Sequence, residues 1–155
     1  MPGSRNEEHE VVLIRWFEEL WNKKNYAAIT ELAHDEYIDH GDGSQDGSLS
    51  LYEADTRSKR GPQAAVEVVK TWLTAFPDGR MTLNEVYTEG DRSVFRTTFH
   101  GTLEGPFAGF PPNGKKVAVT STGICRIVCG KVLESWGDFN VVDAMQQIGA
   151  LPEYA

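Results

Sequence analysis

Apolar residues recur at helical spacing in three stretches of the first half of the chain, which predicts three helices. The first begins after Asn6, a residue type that caps helix N-termini, and a short second helix covers 26–33. The third begins at Gly61-Pro62 and ends at Pro77, because proline suits the first turn of a helix and breaks its interior. The apolar faces contain Leu13, Ile14, Phe17, Leu20, Trp21, Ile29, Leu32, Ala65, Val68, Val69, Trp72, Leu73 and Phe76. We expect these faces to cover one core.

Alternating β-branched, aromatic and polar residues predict strands in the rest of the chain. The strands cover 37–40, 81–87, 93–102, 116–128 and 132–139. Cys129-Gly130 has the length of a two-residue hairpin turn between the last two strands, and a short helix follows the final strand. The predicted fold class is therefore α+β. We expect a curved antiparallel sheet with three N-terminal helices on one side, enclosing a pocket, and a short C-terminal helix.

The last strand, within KVLESWGDFN at 131–140, places its side chains alternately on two faces. One face carries Glu134, Trp136, Asp138 and Asn140, and the other carries Leu133, Ser135, Gly137 and Phe139. If the chain turns at Cys129-Gly130, the opposed pairs are Val128 with Lys131, Gly123 with Trp136, and Ser121 with Asp138. A longer turn would slip this pairing by one residue and change the neighbours of Asp138.

Asp138 is the first candidate for a catalytic acid or base. It shares a strand face with the amide of Asn140 and the indole of Trp136. A carboxylate held against apolar surface favours its neutral form, so it can exchange protons near neutral pH. A second interpretation is that Asp138 caps the following helix or lies at the solvated end of the sheet. The two interpretations differ in where the carboxylate points.

The length of 155 residues fits one domain over 1–155, in which we expect residues 1–6 to be frayed. Lys and Arg total 15 and Asp and Glu total 23, so the net charge of −8 argues against nucleic acid or an anionic membrane as a partner. The N-terminus has no apolar run behind a basic segment, and no stretch reaches membrane-spanning length, so we expect a cytoplasmic protein. Cys125 and Cys129 are about 13 Å apart in an extended chain, which predicts two free thiols.

A polar loop at 41–60 is too long for a simple connection and is interpreted as a lid or an entrance. Some of its residues match positions of a calcium-binding loop: Asp42, Ser44, Asp46, Gly47, Leu49 and Glu53. Such loops lie between two helices, whereas the preceding YIDH predicts a strand and the following ADTRSKRG is a poor helix. We therefore predict no metal site.

Several motifs of cofactor-dependent and hydrolytic enzymes are missing from the sequence. It has no Gly-rich phosphate loop after a strand, no Cys/His cluster at metal spacing and no G-x-S-x-G elbow. Nucleotide-dependent and serine-hydrolase chemistry are therefore unsupported, and we predict that the protein uses no cofactor.

Four motifs stand in order along the chain: YIDH at 37–40, AFPD at 75–78, GPFAGFPPNGK at 105–115, and Trp136 followed by QQIG at 146–149. Together they resemble the SnoaL-like polyketide cyclase (ester cyclase) family over nearly the whole chain. The resemblance implies the NTF2-like α+β cone, assembled into homodimers or homotetramers, with an apolar cavity between sheet and helices. Characterised relatives close a polyketide ring by intramolecular aldol condensation, with an aspartate as acid and base and without a cofactor.

The family's site residues can be compared with this chain position by position. His40 matches a histidine that follows the first strand in the family, and Trp136 matches the strand tryptophan. Members often have a histidine just before that tryptophan and an aspartate four residues after it, where this chain has Ser135 and Asn140. Asp138 is the candidate to take over from the missing aspartate. The residues expected to bind substrate are Trp136, Tyr37, Phe107, Phe110 and His100.

The leading hypothesis is a cyclase- or isomerase-type enzyme that acts on a polyketide-like carbonyl compound, its small-molecule partner, in the apolar cavity. Asp138 would take a proton from a carbon flanked by carbonyls, while His40 and Asn140 donate hydrogen bonds to the oxygen that gains charge. His40 could instead brace the 41–60 loop. One alternative function is non-catalytic binding of an apolar small molecule. Another is hydration of the epoxide-hydrolase type, for which Arg96 and Asp138 supply two residues of an Asp-Arg-Asp set.

Overall fold

The computed structural model describes residues 5–41 and 59–152. The helices are α1 (Arg5–Arg15), which continues as a π-helix (Trp16–Asn22), a 3-10 turn (Tyr26–Ala28), α2 (Ile29–Leu32), α3 (Pro62–Ala75) and α4 (Val141–Gln147). The strands are β1 (Ala33–Asp39), β2 (Lys59–Arg60), β3 (Arg80–Glu89), β4 (Arg92–Thr102), β5 (Lys116–Val128) and β6 (Lys131–Phe139). None of the helices in these ranges is long and apolar enough to cross a bilayer. The order of elements confirms the α+β prediction.

The N-terminal helix changes its hydrogen-bonding pattern halfway along. It begins at Arg5, so Asn6 lies within its first turn instead of capping it. From Trp16 the turns widen, and the N–H of Lys23 donates to the carbonyl of Glu18, five residues earlier, at 2.9 Å. The buried residues of the wider turns are Trp16, Phe17, Leu20 and Trp21. This stretch therefore presents a continuous, largely aromatic surface to the core.

The sheet is mixed rather than purely antiparallel. Its strand order in the described residues is β2-β1-β6-β5-β4-β3. Strands β3 to β6 form the predicted antiparallel meander, but β1 runs parallel to β6. Parallel neighbours need a long crossover connection, and the chain between β1 and β6 contains α3 and the rest of the meander. The prediction of an antiparallel sheet is therefore corrected at this pairing.

The β5–β6 hairpin has the predicted turn. Cys129 and Gly130 both have positive φ angles, 51° and 73°, as a two-residue turn of this hand requires. Val128 pairs with Lys131 on either side of it, as predicted. The turn thus fixes the start of the pairing.

A β-bulge next to this turn then shifts the register. It leaves one extra residue, Leu133, on β6. The predicted partners of Trp136 and Asp138, which were Gly123 and Ser121, are therefore wrong by one residue. The observed pairs are Ile124 with Trp136, Gly123 with Gly137, and Thr122 with Asp138. Because side chains alternate along a strand, this shift reverses the predicted face of each β6 residue that follows Leu133.

Within the described ranges, the helices cover one face of the sheet, which we call the inner face, and the opposite face is the outer face. On β5 the buried residues of the inner face are Val117, Val119, Gly123, Cys125 and Ile127. The exposed Thr122 and Ile124 belong to the outer face. Through the observed pairing, the inner face of β6 consists of Ser135, Gly137 and Phe139. Trp136 and Asp138 therefore occupy outer-face positions.

An aromatic cluster around Trp72 ties α3 to the inner face. The Trp72 ring centroid lies 4.4 Å from that of Phe139 on β6 and 5.3 Å from that of Phe99 on β4. Phe76 and Phe107 complete the cluster at 6.2 and 5.2 Å. The GPFAGF loop is thus anchored in the core through Phe107.

A small polar cluster is buried where α1 meets the sheet. His9 is 5% exposed, and its Nδ1 lies 3.0 Å from the hydroxyl oxygen of Ser93, which in turn lies 2.7 Å from that of Thr88. Burial lowers the pKa of His9 below its ordinary value of 6.5, and the charge of Arg5 acts in the same direction. The folded protein therefore favours a neutral imidazole at this position.

We predict that the protein loses stability as the pH falls below about 6.5. The unfolded chain binds a proton at His9 near the ordinary pKa of 6.5, whereas the folded chain does so only at lower pH, so protonation favours unfolding. The contribution is fully present above that pH and is lost as the pH falls through the lowered pKa. Urea unfolding at about pH 7.5 and about pH 5.5 measures the difference. The same pH dependence in the His9→Gln variant would contradict this assignment.

Candidate active site

A cavity of about 180 Å³ lies between the inner face of the sheet and the helices. Much of its wall is aromatic, with rings from the π-helical stretch, α3, β4 and β6: Trp16, Phe17, Trp72, Phe95, Phe99 and Phe139. Small-molecule sites are concave and mostly apolar, with a few polar groups that fix orientation. The cavity is therefore the candidate active site.

Tyr37, Asp39 and Ser135 form a polar cluster in the cavity wall. Strands β1 and β6 run side by side here, with Asp39 opposite Ser135 in the pairing. The Tyr37 hydroxyl oxygen lies 2.5 Å from Oγ of Ser135, and Oδ1 of Asp39 accepts the N–H of Gly41 at 2.8 Å. The cluster thus places two hydroxyl groups beside a carboxylate in an apolar cavity.

The phenol of Tyr37 is held in its protonated form. Burial raises the pKa of Tyr37 well above its ordinary range, and the negative charge of Asp39 adds to this rise. The hydrogen bond with Ser135 acts in the opposite direction but is outweighed. Tyr37 is therefore a hydrogen-bond donor at neutral pH, and it lines the cavity, while its role in substrate binding stays a prediction.

Asp39 was not among the predicted site residues. The motif resemblance drew attention to its neighbour His40 instead. The signal that identifies Asp39 is the alternation within YIDH, which puts it on the same strand face as Tyr37, a predicted substrate-binding residue.

Other polar groups of the cavity wall are less suited to proton transfer. Thr97 and Ser121 pair their hydroxyl groups with each other at 2.6 Å. Burial raises the pKa of the Cys125 thiol to about 12, so it forms no thiolate nucleophile at neutral pH. Cys125 and the exposed Cys129 are both free, as predicted.

Asp138 borders the cavity, but it is exposed. It occupies an outer-face position opposite the exposed Thr122, and it flanks Gly137, whose missing side chain leaves room beside the strand. Asp138 is therefore not held against apolar surface in the way that the sequence indicated. Its role as acid or base stays a prediction.

Asn140 begins α4. Its side-chain oxygen accepts the N–H of Asp143 at 3.2 Å, which is the bond that an N-cap residue makes. Asn140, and not Asp138, therefore caps α4. Asn140 is not part of the cavity wall that the described residues form, so its predicted hydrogen bond to substrate has no support in this geometry.

His40 packs against the outer face. Its ring stacks on Trp136 with centroids 4.5 Å apart and planes 4° apart, and its Nε2 lies 3.2 Å from Oε1 of Glu134. The guanidinium of Arg92 also contacts the Trp136 ring, at 5.3 Å. Among the described residues His40 lies outside the cavity wall. These contacts fit a residue that braces the end of β1 against β6.

Glu134 connects His40 to ion pairs on the outer face. Arg126 contacts Glu134 at 3.2 Å and Asp91 at 2.7 Å. Burial alone would raise the pKa of Glu134, but hydrogen bonds from His40 and Arg126 lower it below its usual range. Glu134 is therefore ionised at neutral pH and holds β5, β6 and His40 together.

The remaining predicted substrate-binding residues are divided between cavity and surroundings. Trp136 lines the cavity together with Tyr37. Phe107 is buried in the aromatic cluster, and Phe110 is 37% exposed beside it. His100 is exposed on the outer face of β4, because the residues on either side of it face inward. In the described part of the chain, Phe107, Phe110 and His100 do not line the cavity.

Metal-binding groups are not assembled in the described part of the chain. Within 5–41 and 59–152, no three His, Cys, Asp or Glu side chains are arranged to hold a metal ion. The calcium-loop pattern from Asp42 to Glu53 lies outside the described residues.

Comparisons with known proteins agree with this architecture. A family model described as SnoaL-like polyketide cyclase matches residues 11–148. No curated protein matches the chain significantly. A candidate SnoaL-like polyketide cyclase from Jannaschia sp. CCS1 is 21% identical, with a TM-score of 0.79 over 98% of this chain and 99% of that one.

Two further solved structures have the same fold. IdmH, a candidate polyketide cyclase from Streptomyces antibioticus, is 21% identical, with a TM-score of 0.76 over 90% of this chain and 97% of its own. An NTF2-like protein of unknown function from Mesorhizobium loti is 21% identical, with a TM-score of 0.59 over 90% and 97% of the two chains. At such identities structural likeness shows the fold alone, and it confirms the predicted NTF2-like cone.

Proposed function

The chain belongs to the SnoaL-like polyketide cyclase family, and on that premise we propose that it is a cofactor-independent enzyme acting on a polyketide-like carbonyl compound. It would form a carbon–carbon bond within this compound by acid and base catalysis. The observation that supports the proposal is that Tyr37, Asp39 and Ser135 lie together in an aromatic cavity. Such a cavity excludes water from a charged intermediate, while the polar cluster supplies proton transfer and hydrogen bonds.

Asp39 is the proposed base. Its carboxylate takes a proton from a carbon between two carbonyl groups, and the electron pair left on that carbon moves onto a carbonyl oxygen to give an enolate. The Tyr37–Ser135 hydroxyl pair donates a hydrogen bond to this oxygen. Because Tyr37 is buried and protonated, its donor is in place before the charge develops.

The enolate carbon then attacks a second carbonyl carbon of the same molecule. A carbon–carbon bond forms, and the π electrons of that carbonyl move to its oxygen. This alkoxide takes the proton from the carboxyl group of Asp39, which restores the base. The net reaction is an intramolecular aldol addition, and no other reactant is consumed.

Asp138 stays a second candidate for the base. It borders the cavity, but it is exposed and occupies an outer-face position, whereas Asp39 lies beside two hydroxyl groups. His40 and Asn140 would have structural roles: His40 braces β1, and Asn140 caps α4. We therefore favour Asp39.

A non-catalytic protein that binds an apolar small molecule is the alternative function. It is favoured by the residue at position 140: relatives often have an aspartate there, whereas this chain has Asn140, which caps α4. Hydration of the epoxide-hydrolase type gains no such support, because Arg96 pairs with Glu85 at 3.6 Å on the outer face. The two functions differ in whether bound ligand exchanges a proton.

Proton exchange in D2O distinguishes them without knowledge of the natural substrate. Ethyl benzoylacetate has an acidic carbon between two carbonyl groups and an aromatic ring. We predict that the protein accelerates the loss of its C2 proton signal in NMR spectra, and that the rate saturates with the ester concentration. Acceleration no greater than that by an unrelated protein would argue against the enzyme. Calorimetric binding without acceleration would support the non-catalytic alternative.

A further inference from the structure

Two glycines lie side by side on the inner face of the sheet, where Gly123 of β5 pairs with Gly137 of β6. The space above Gly123 is filled. A Cβ atom there would be 2.3 Å from Cζ of Phe95 and 2.9 Å from the main-chain oxygen of Trp136. Position 123 therefore needs glycine, because the Phe95 ring occupies the place of a side chain.

The space above Gly137 is open. A Cβ atom at Gly137 would meet no heavy atom of the described residues within 4 Å, and this exposed residue lines the cavity where it opens to solvent. Its φ angle is outside the left-handed region in which glycine is favoured, and it lies inside a strand, where glycine is unfavourable. Among the described residues, neither backbone geometry nor packing requires glycine here. Its effect is to leave cavity space that is open to a ligand.

We propose that Gly137 is a specificity-determining residue and that it provides a slot for a flat ring. The cavity measures about 180 Å³, and an apolar cavity of about 150 Å³ in another protein holds one benzene molecule. The slot therefore matches one aromatic ring or two fused rings in size. Phe95, which covers the neighbouring Gly123, and Phe139 on the same strand supply aromatic walls against which a ring can pack.

The polar cluster of Tyr37, Asp39 and Ser135 lies close to this slot. Ser135 precedes Gly137 by two residues on the same strand face, which corresponds to about 7 Å. A ring above Gly137 therefore brings a carbonyl substituent to the Tyr37–Ser135 pair and to Asp39. The ligand class is an aryl or cyclic 1,3-dicarbonyl compound with at most two rings. This assignment of the substituent rests on the proposed function, whereas the ring slot does not.

Calorimetric titration with 2-naphthol tests the slot, because this probe has two fused rings but no acidic carbon between carbonyl groups. We expect the wild-type protein to bind it, the Gly137→Leu variant to bind it about tenfold more weakly or worse, and Gly137→Ala to lose a smaller factor. The control is Thr82→Leu, which introduces the same leucine side chain at an exposed position on the outer face of β3. Its affinity should equal that of the wild type. Thermal unfolding checks that each variant is folded.

Several results would overturn the slot. These are no binding of 2-naphthol by the wild type, equal or tighter binding by Gly137→Ala, and equally tight binding of the three-ring 2-hydroxyanthracene by the wild type. If Gly137→Leu does not fold, the alanine variant decides the question, since its Cβ meets no atom in the described part of the chain.

Failure of the slot and failure of the proposed function have different signatures. If 2-naphthol binding depends on Gly137 but the protein does not accelerate proton exchange of ethyl benzoylacetate, the slot stands and the acid-base function is refuted. If proton exchange is accelerated and Gly137→Leu leaves both its rate and 2-naphthol binding unchanged, the function stands and the slot is refuted.

Discussion

The Asp39→Asn variant should exchange the C2 proton of ethyl benzoylacetate about 10²- to 10⁴-fold more slowly than the wild type at saturation, the usual contribution of a positioned base. Asparagine keeps the shape of the side chain, and its oxygen can still accept the N–H of Gly41, a bond of 2.8 Å in the wild type. The amide cannot take a proton. We therefore expect kcat to fall while KM changes little, and NMR exchange rates over a range of ester concentrations measure both.

Asp138→Asn is the matched control, since it makes the same chemical change in an exposed carboxylate at the border of the cavity. It should keep most of the wild-type rate. The reverse pattern, with exchange lost in Asp138→Asn and retained in Asp39→Asn, would return the base to Asp138. Thermal unfolding of both variants checks that the fold is unchanged.

The second large effect concerns stability. Replacing Trp72 by alanine should lower the free energy of unfolding by about 3–5 kcal/mol, the range measured for large aromatic residues in cores. Trp72 is 6% exposed, and its ring packs against four others: Phe76, Phe99, Phe107 and Phe139. Its loss removes the transfer energy of the indole and the contacts of its neighbours. Urea unfolding should show a lower midpoint with an unchanged slope.

Phe110→Ala provides the comparison for this measurement. Phe110 is 37% exposed and belongs to the same GPFAGF loop as the buried Phe107. Its replacement should change the free energy of unfolding by about 0.5 kcal/mol or less. If Trp72→Ala were no more destabilising than Phe110→Ala, the aromatic cluster would not be what joins α3 to the sheet.

The parts of the fold that depend on local sequence could be predicted. Helical periodicity located α3, and alternation located β3 to β6, because each pattern reflects one element and the single face that it buries. The Cys129-Gly130 turn was predictable for the same reason. The bulge at Leu133 and the parallel pairing of β1 were not, because both are settled by how distant parts of the sheet fit together.

Predicting the candidate site required both the bulge at Leu133 and the parallel pairing of β1. Without the bulge, Trp136 and Asp138 would face the helices, and Asp138 would be the natural base. With it, Ser135 and Gly137 face inward, and the parallel pairing of β1 brings Asp39 beside Ser135. Tyr37, a predicted substrate-binding residue, lines the cavity, and the alternation within YIDH places the Asp39 carboxylate on the same strand face. A site shared by two strands requires their register, which a single sequence does not contain.

The π-helical stretch from Trp16 to Asn22 makes the protein sensitive to chain length. Deleting one residue there would favour ordinary α-helical turns, and everything before it would rotate by about 100°. That rotation would move His9 away from Ser93, its partner at 3.0 Å. Substitutions can therefore reshape the aromatic wall in small steps, whereas insertions and deletions cannot. During evolution this helix should vary in sequence while its length stays fixed.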